Sequence, residues 1–388
     1  MTGHSISSAL DKIPKSGIRK LFDLSQGMEG VISLGIGEPD FSTPAHIVEA
    51  SIKALKEGKT YYSQNAGLFE LRKAISEKMK KENGINVSEN EVLITVGGGQ
   101  ALSLAIQASI KSGEEVIVPS PSFVAYVPTV ILSGGVPVEV ECKEEDKFIL
   151  SPDSLEENIT ERTELLILNT PSNPTGAVMA KKDLEDISDI VIEYNLKVIS
   201  DEVYESFIYD GKKHVSMASL NGMEDSVITV NSFSKTYSMT GWRVGYLLSK
   251  DESLFERMLK LHMYGPVCNN TFAQFGALEA LKGPQEFVHN MREEFQSRRD
   301  LLMNRIQEMN SVSAIKPEGA FYLFMNISNT RMTSEEFSEK LLNEEKVVTV
   351  PGSAFGPYSD GFVRLAYPLK TEKINEACDR MKRFLSKY

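Results

Sequence analysis

A lysine, two serines and an arginine lie close together in the segment NSFSKTYSMTGWRVG, residues 231–245. Lys235 follows Ser232 and Ser234, and Arg243 comes eight positions after the lysine. A lysine amine acts as a nucleophile or base only when it is deprotonated, and a nearby guanidinium favours that form. The hydroxyls and the guanidinium could also bind an anion such as a phosphate group. Taken singly, each residue has an ordinary explanation, because lone lysines are nearly always exposed and serines often cap helices.

Other polar residues follow short apolar runs, at points where the strands of a parallel sheet would end. The run EVLITV precedes the glycine-rich stretch GGGQ at 97–100, and ELLILN precedes a turn with Asn173 at its tip. Asp201 comes directly after LKVIS, and Tyr204 lies three residues further on. Ligands of open α/β sheets bind at the carboxyl ends of strands, so we expect these groups to share one crevice. Each alone is weak evidence, since an acid after a strand often only caps the next helix.

Pyridoxal 5'-phosphate would use every group in this combined set. Its phosphate needs backbone N–H groups, hydroxyls and a guanidinium, its aldehyde needs an amine, and its ring nitrogen needs a carboxylate. Phe123 and Tyr126, in PSPSFVAY, are core aromatics in the simplest interpretation. No metal site is expected, because the three cysteines lie far apart and lack metal-ligand spacing.

The elements that must position these residues form an α/β pattern. Short apolar runs rich in Val and Ile alternate with longer amphipathic stretches, as a mainly parallel sheet covered by helices on both faces requires. We expect a mixed, mainly parallel seven-stranded sheet sandwiched by helices, with strands at 91–96, 114–119, 134–141, 164–169, 196–200, 225–230 and 243–249.

A chain of 388 residues exceeds what one hydrophobic core usually supports. We expect a large domain over 46–285, and a smaller α+β domain that combines an N-terminal arm at 1–45 with residues 286–388. Strands of the smaller domain are predicted at 319–327, 346–352 and 361–367. Helices are predicted at 67–84, with Gly84 as the stop, and at 294–310 and 371–387.

Composition excludes several classes of partner. The formal net charge of −12 disfavours nucleic acid and anionic membrane surfaces, and no local basic patch outweighs it. The N-terminus lacks the apolar core of a signal peptide, and no segment approaches the roughly 20 apolar residues that span a bilayer. We therefore expect a cytoplasmic protein that binds neither nucleic acid nor membrane.

Five segments together resemble the signature segments of class I, fold type I, pyridoxal-phosphate-dependent aminotransferases. They are SLGIGEPDFSTP, TVGGGQAL, LNTPSNPTGAV, SDEVYESFIYDG and NSFSKTYSMTGWRVGY, in the order and approximate spacing of that family. The resemblance covers essentially the whole chain. It is closest to archaeal aromatic-amino-acid aminotransferases, through IRKLFDLSQGMEGVISLGIGEPDF and VVTVPGSAFG.

The resemblance implies a role for each cofactor-binding residue. Lys235 would form the Schiff base with the cofactor, Asp201 would keep the ring nitrogen protonated, and Tyr204 and Asn173 would bond the phenolic oxygen. Phe123 would stack on the ring. The phosphate would lie against Gly97, Gly98, Gly99, Gln100, Ser232, Ser234 and Arg243.

The same resemblance implies how the substrate and a second subunit are bound. Arg364, in GFVRLAYP, would form a bidentate pair with the substrate carboxylate, near Gly37 and Asn173. Without the resemblance, an exposed arginine in a surface ion pair is the simpler interpretation of Arg364. Tyr62 would reach the phosphate of a partner subunit, with Tyr61 as the alternative, so we expect a homodimer with shared active sites.

The predicted reaction is transfer of an amino group from an L-amino acid to 2-oxoglutarate. An aromatic donor is favoured, because an apolar pocket could be lined by Ile18, Tyr61, Tyr126, Phe321 and Phe355, and aspartate is the close alternative. A C–S lyase of the same fold shares the removal of the Cα proton and stays open. A non-catalytic regulator is disfavoured, because only 30 residues precede VISLGIGEPD and a helix-turn-helix domain needs more.

Overall fold

The computed structural model describes residues 10–13, 24 and 27–388. Residues 1–9, 14–23 and 25–26 of the predicted N-terminal arm, including Ile18, lie outside the described residues. In chain order the strands are β1 (Ile32–Ser33), β2 (Val92–Thr95), β3 (Glu115–Ser120), β4 (Val136–Glu141), β5 (Thr163–Asn169), β6 (Lys197–Asp201), β7 (Val227–Ser232), β8 (Gly245–Leu248), β9 (Ser313–Ala314), β10 (Tyr322–Asn326), β11 (Val347–Val348), β12 (Val350–Pro351) and β13 (Phe362–Ala366).

The largest sheet has seven strands in the order β2-β8-β7-β6-β5-β3-β4. Within this sheet, every neighbouring pair of strands from β3 to β7 is parallel. Strand β8 is antiparallel to both of its neighbours, β2 and β7. Every residue of β2, β7 and β8 is buried, which explains why these runs are apolar without alternation. The predicted mixed, mainly parallel seven-stranded sheet is confirmed, and each predicted run overlaps one of its strands to within two residues at either end.

Helices cover both faces of this sheet. In chain order the α-helices are α1 (Ala45–Lys56), α2 (Phe69–Lys78), α3 (Gly98–Ser109), α4 (Tyr126–Leu132), α5 (Pro152–Glu157), α6 (Lys181–Glu193), α7 (Phe233–Thr236), α8 (Glu252–Tyr264), α9 (Thr271–Lys282), α10 (Glu286–Gln307), α11 (Ser334–Glu345) and α12 (Thr371–Leu385). Successive residues of one strand enter opposite cores: in β6, Val198 packs in one cluster and Ile199 in another. The two-sided burial of the sheet follows from this alternation.

Side chains in the sequence set several helix ends. Ser151, Asp251, Asn270 and Thr333 accept hydrogen bonds from backbone N–H groups at the starts of α5, α8, α9 and α11. At the end of α2 the chain continues into a π-helical turn, Met79–Asn83, which stops at left-handed Gly84 (φ 71°) as predicted.

The smaller sheets differ in part from the prediction. The order β12-β13-β10-β9 forms one antiparallel sheet, and β1 pairs with β11 in a separate parallel ladder. The single strand predicted at 346–352 is wrong, because Val347–Val348 and Val350–Pro351 pair with different sheets. The strand predicted at 319–327 is shorter, and the helix predicted at 294–310 both starts and ends earlier, as α10 over Glu286–Gln307.

The seven-stranded sheet and the four-stranded sheet each have a buried apolar core. One cluster of buried apolar residues surrounds β10 and β13 and includes α10 and α12, apart from the clusters of the large sheet. The domain boundaries at 45/46 and 285/286 stay a prediction. None of the helices in the described part of the chain has the length and apolar character to cross a membrane.

Candidate active site

A cavity of about 690 Å3 lies where β2, β5, β6 and β7 end. Segments from both parts of the chain contribute to it. Its lining consists of Gly35, Ile36, Gly37, Glu38, Gly98, Gly99, Leu102, Phe123, Val124, Tyr126, Asn169, Asn173, Asp201, Val203, Tyr204, Ser232, Ser234, Lys235, Thr240, Arg243, Tyr322 and Arg364.

Asp201 is a buried carboxylate at the last residue of β6. Its Oδ2 accepts a hydrogen bond from the Tyr126 hydroxyl at 2.7 Å, and its Oδ1 accepts one from the Val203 N–H at 3.3 Å. Burial raises the pKa of Asp201 from 3.8 to about 6, although both hydrogen bonds favour the ionised form. A cationic ring nitrogen placed here would give the buried carboxylate the partner that it lacks.

Lys235 lies in the short helix α7, directly after β7. The Ser232 side chain caps this helix by accepting from the Ser234 N–H at 3.2 Å. The Lys235 ammonium donates to the Gly37 carbonyl at 2.5 Å. Burial lowers the pKa of Lys235 from 10.5 to about 8, and the nearby Arg364 and Arg243 add to this effect, whereas Glu38 opposes it.

An anion cradle is formed where β2 meets α3. Gly98 and Gly99 are the first two residues of α3, so their N–H groups have no partner within a helix. Gly97 has φ 77°, and a Cβ at this position would collide with the Arg243 guanidinium. The cradle therefore combines helix-end N–H groups, the hydroxyls of Ser232 and Ser234, and one guanidinium, which is the arrangement that a phosphate group needs.

Arg364 is a buried guanidinium in β13 whose described partners include no carboxylate. Its Nη1 donates to Asn173 Oδ1 at 2.9 Å and its Nη2 to the Gly35 carbonyl at 2.7 Å, whereas its Nε has no partner among the described residues. The guanidinium lies over the Tyr322 ring at 4.5 Å from the centroid. Burial lowers the pKa of Arg364, as expected of a cation without an anionic partner.

The structure brings most of the predicted site residues together in this cavity. Those that line it are Gly37, Gly98, Gly99, Phe123, Asn173, Asp201, Tyr204, Ser232, Ser234, Lys235, Arg243 and Arg364. Gly97 and Gln100 do not line the cavity. The Gly97 N–H donates to the Thr95 carbonyl, and the Gln100 N–H donates to the Gly97 carbonyl. The Gln100 side chain turns back to accept from the Val96 N–H at 2.7 Å.

Among the described residues proposed for an apolar substrate pocket, one lines the cavity and the others do not. Tyr126 lines the cavity, whereas Phe321 and Phe355 are buried outside its lining. Phe355 instead supports Arg364, with its ring centroid 5.1 Å from the guanidinium carbon. Tyr61 and Tyr62 are 83% and 84% exposed and do not line the cavity of their own chain.

Sequence reasoning missed Tyr322, which lines the cavity. Its hydroxyl shares a hydrogen bond with the Tyr204 hydroxyl at 2.8 Å. A Cβ at position 37 would collide with the Tyr322 hydroxyl, which explains why glycine stands there. Strand alternation could have indicated Tyr322. Phe324 lies opposite Arg364 in the β10–β13 ladder, and Tyr322 comes two residues before Phe324, so it lies on the same face of the sheet.

The family model described as "Aminotransferase class I and II" matches residues 29–381, nearly the whole chain. The chain belongs to this aminotransferase family. The family and the fold type expected from the five signature segments are therefore confirmed.

This aminotransferase is similar to named proteins of two specificities. It is 50% identical over 384 residues to "Aromatic-amino-acid aminotransferase 2" of Thermococcus litoralis, covering 98% of each chain. It is 51% identical over 384 residues to "Aspartate aminotransferase" of Pyrococcus abyssi, again covering 98% of each. The solved structure of the aromatic aminotransferase from Pyrococcus horikoshii OT3 superposes with a TM-score of 0.90 at 49% identity, covering 95% of this chain and 99% of that one.

Class I aminotransferases use pyridoxal 5'-phosphate. The residues present fit that group. The pKa of the Lys235 amine is lowered, the buried carboxylate of Asp201 has no ion-pair partner among the described residues, and the anion cradle contains Arg243 and Ser232.

Proposed function

We propose that this aminotransferase moves the amino group of an L-amino acid, with an aromatic donor preferred, to 2-oxoglutarate, using pyridoxal 5'-phosphate held in the cavity. The observation that carries the proposal is a half-buried amine with a lowered pKa, Lys235, in the same cavity as a buried guanidinium without a carboxylate, Arg364. An α-amino acid brings an amino group and a carboxylate to these two side chains.

Each cofactor-facing side chain has one role. When bound, pyridoxal 5'-phosphate supplies an aldehyde that takes the amino group and a ring that withdraws electrons from the substrate Cα. Asp201 would hold the proton on the ring nitrogen, and Tyr204 and Asn173 would donate to the phenolic oxygen. Phe123 would pack against the ring face, and Arg243 with Ser232, Ser234 and the N–H groups of α3 would bind the phosphate.

Lys235 would also move the proton of the reaction. Its pKa of about 8 leaves a usable fraction of neutral amine near neutral pH, which can remove the proton from the substrate Cα. After protonation the same ammonium can return the proton. A general base with a pKa near the working pH gives the best compromise between being free of a proton and being able to accept one.

An aromatic donor suits the walls of the cavity better than a dicarboxylic one. The cations among its described lining residues are Lys235, Arg243 and Arg364, and each already has a role. A second substrate carboxylate would therefore need a cation from elsewhere, whereas Ile36 and Val124 offer apolar surface for an aromatic ring. Burying such a ring contributes about 1.5–3 kcal/mol.

Aspartate is the second candidate donor. It is favoured by the 51% identity to the protein named aspartate aminotransferase of Pyrococcus abyssi. The test is to measure kcat/KM for phenylalanine, tyrosine, aspartate and alanine with 2-oxoglutarate as acceptor. We expect phenylalanine and tyrosine to exceed aspartate by about tenfold or more.

Other outcomes of this assay would correct the proposal in distinct ways. A higher value for aspartate would reverse the order of donors and keep the transaminase. Release of pyruvate and ammonia from cystathionine, without amino transfer from any donor, would favour the C–S lyase. No reaction in either assay would overturn the proposed function.

We also propose that the protein is a homodimer in which Tyr62 completes the partner's phosphate site. Support comes from the exposure of Tyr61 and Tyr62, large aromatic side chains that a lone chain would leave in water. The Tyr61 carbonyl accepts from the Thr271 hydroxyl at 2.7 Å, which fixes the backbone of this pair. Sedimentation equilibrium is expected to give twice the mass of one chain, and a fully active single chain would contradict the dimer.

A further inference from the structure

A second group of polar side chains, some buried and some half-buried, lies behind the strand ends that carry Asp201 and Ser232. It is not part of the cavity lining. We name it the support network, and it consists of Lys78, Asn83, Glu202, Glu205, His214 and Asn231.

Glu202 is the centre of the support network. It follows Asp201 directly and is 0% exposed, because side chains alternate at the strand end and Glu202 points away from the cavity. Its Oε1 accepts from the Ser200 and Ser216 hydroxyls at 2.8 and 2.6 Å. Its Oε2 pairs with His214 Nε2 at 2.7 Å. Burying a carboxylate this completely is unfavourable unless donors such as these satisfy its oxygens.

Glu205 connects the network to the next strand end. Its Oε1 accepts from the Lys78 ammonium and from Asn231 Nδ2, the latter at 2.7 Å, and its Oε2 accepts from Asn83 Nδ2 at 2.6 Å. Asn231 Oδ1 in turn accepts from the Ser232 N–H at 2.7 Å. The network therefore holds the backbone of a residue that lines the proposed phosphate cradle.

The π-helical turn after α2 has a local explanation in this network. Lys78 ends α2 and Asn83 ends the turn, and Lys78 Nζ donates to Asn83 Oδ1 at 2.8 Å. The extra residue of a π turn shifts the register of the side chains, so that both reach Glu205. Such turns occur often where side-chain placement serves a function.

The charges of the network balance when His214 is protonated. Burial alone would lower the pKa of His214, but the adjacent Glu202 carboxylate overcomes this, and the pKa is raised. Lys78 and protonated His214 then face Glu205 and Glu202. Members of the support network also line a separate cavity beside it. The other charged or titratable side chains that line this cavity are Glu82, His289 and Arg292.

A divalent metal is not needed to explain the cluster. Ligand atoms of Glu202, Glu205 and His214 do lie within 4.8 Å of one another. However, the Lys78 ammonium already contacts Glu205, and both oxygens of each carboxylate have donors from the chain. The positive charge that a metal would bring is supplied by side chains.

We propose that the support network is a positioning device for the cofactor: the Glu202–His214 pair holds the end of β6, and Glu205 with Asn231 holds the end of β7. Asp201 and Ser232 lie at those two ends. A loss of the network would move the Asp201 carboxylate and the phosphate contacts of Ser232 together, and would therefore weaken cofactor binding. The site for the substrate carboxylate at Arg364 would not be affected. This inference rests on the proposed function, because it assumes the pyridoxal 5'-phosphate site.

The test compares cofactor affinity with stability in matched variants. Apoprotein of each variant is titrated with pyridoxal 5'-phosphate, and thermal unfolding of the apoprotein is recorded in parallel. His214→Phe fills the space but removes the donor and the counter-charge of Glu202, and we expect its dissociation constant to rise about tenfold or more. His214→Gln retains an N–H donor, and its constant is expected within about twofold of wild type. The KM for the amino acid is expected to change less than about twofold in both.

Arg299→Met is the matched control. Arg299 is a fully buried cation that pairs with Asp210 outside the cavity, at 2.9 Å. Its loss is expected to lower the unfolding midpoint and leave cofactor affinity unchanged. If His214→Phe behaves like Arg299→Met, losing stability but not affinity, the network is only structural and the inference is wrong.

Two further outcomes are decisive. If His214→Phe yields no folded protein, Ser216→Ala decides, because it removes one hydroxyl from Glu202; a rise of about threefold supports the inference and no change overturns it. If wild-type apoprotein binds no pyridoxal 5'-phosphate, the proposed function and this inference fall together. A wild type that binds tightly while every variant matches it removes the inference alone.

Discussion

Replacing Lys235 with alanine is expected to lower the rate of amino transfer by at least about 10³-fold, because the variant loses the amine proposed to attach the cofactor and to move the Cα proton. Formation of glutamate from 2-oxoglutarate, measured with the preferred donor, tests this directly. The apoprotein is expected to fold, because Lys235 forms its hydrogen bond with a single carbonyl, that of Gly37.

The same variant is expected to be more stable as apoprotein. Burial lowers the pKa of Lys235 from 10.5 to about 8, so the folded state binds its proton more weakly than the unfolded state does. The charged lysine therefore opposes folding fully below about pH 8, and the effect fades as pH rises to about 10.5. At pH 7 its removal raises the free energy of unfolding by up to about 3 kcal/mol, less the packing that is lost. Denaturant titrations at pH 7 and pH 10 measure both values.

Lys181→Ala is the matched control for Lys235. Lys181 is an exposed lysine of α6 that pairs with Glu185 at 3.2 Å. Exposed pairs of this kind contribute about 0.3–0.5 kcal/mol, so neither rate nor stability is expected to change noticeably. A Lys235→Ala enzyme with more than a tenth of wild-type activity would remove the lysine from the mechanism.

Strands were predictable where burial is complete on both faces. The predicted runs that overlap β5, β6 and β7 have no alternation, and every residue of β7 is buried. Helix α10 was harder, because its start at Glu286 lies eight positions before the predicted one. Arg298 and Arg299 are buried in this helix through ion pairs with Asp40 and Asp210. Charged residues therefore occupy core positions of the helix, which weakens the helical periodicity of its apolar residues.

The strand predicted at 346–352 shows a second limit. Thr349 separates two residue pairs, and the chain changes sheet between them. Periodicity describes which face a residue presents but carries no information about which sheet it joins. The choice of partner strand is a long-range property, so a continuous β-rich run does not reveal the break.

The residue types of the site could be predicted from the sequence, but the hydrogen bonds among these residues could not. Lys235, Asp201 and Asn173 follow apolar runs and therefore could be placed at strand ends. Arg364 could not be told from a surface arginine by pattern alone, and its burial at 5% exposed becomes evident only when the two sheets are packed together. The direction of the Gln100 side chain, which returns to the Val96 N–H, is likewise decided by local hydrogen bonding.

Exchanging Arg364 for lysine is expected to raise the KM of the amino-acid donor by about 10²-fold, with little effect on cofactor affinity. Lysine preserves the charge but cannot make two parallel hydrogen bonds to a carboxylate, and it cannot also reach Asn173 and the Gly35 carbonyl as the fork of Arg364 does. Initial rates over a range of donor concentrations separate KM from kcat. Arg298→Lys is the matched control, because Arg298 is buried in an ion pair with Asp40 outside the cavity lining, and its KM is expected to stay at the wild-type value.

A carboxylate ligand without an amino group tests the same arginine in the absence of any reaction. A buried guanidinium that lacks an anionic partner is unfavourable, and a ligand that supplies one stabilises the folded state by mass action. We therefore expect 3-phenylpropionate to raise the thermal midpoint of the wild type and of Arg298→Lys, and to have little effect on Arg364→Lys. Equal shifts in all three proteins, or an unchanged KM in Arg364→Lys, would mean that the substrate carboxylate binds elsewhere and that Arg364 serves only to join the two sheets through Asn173 and Gly35.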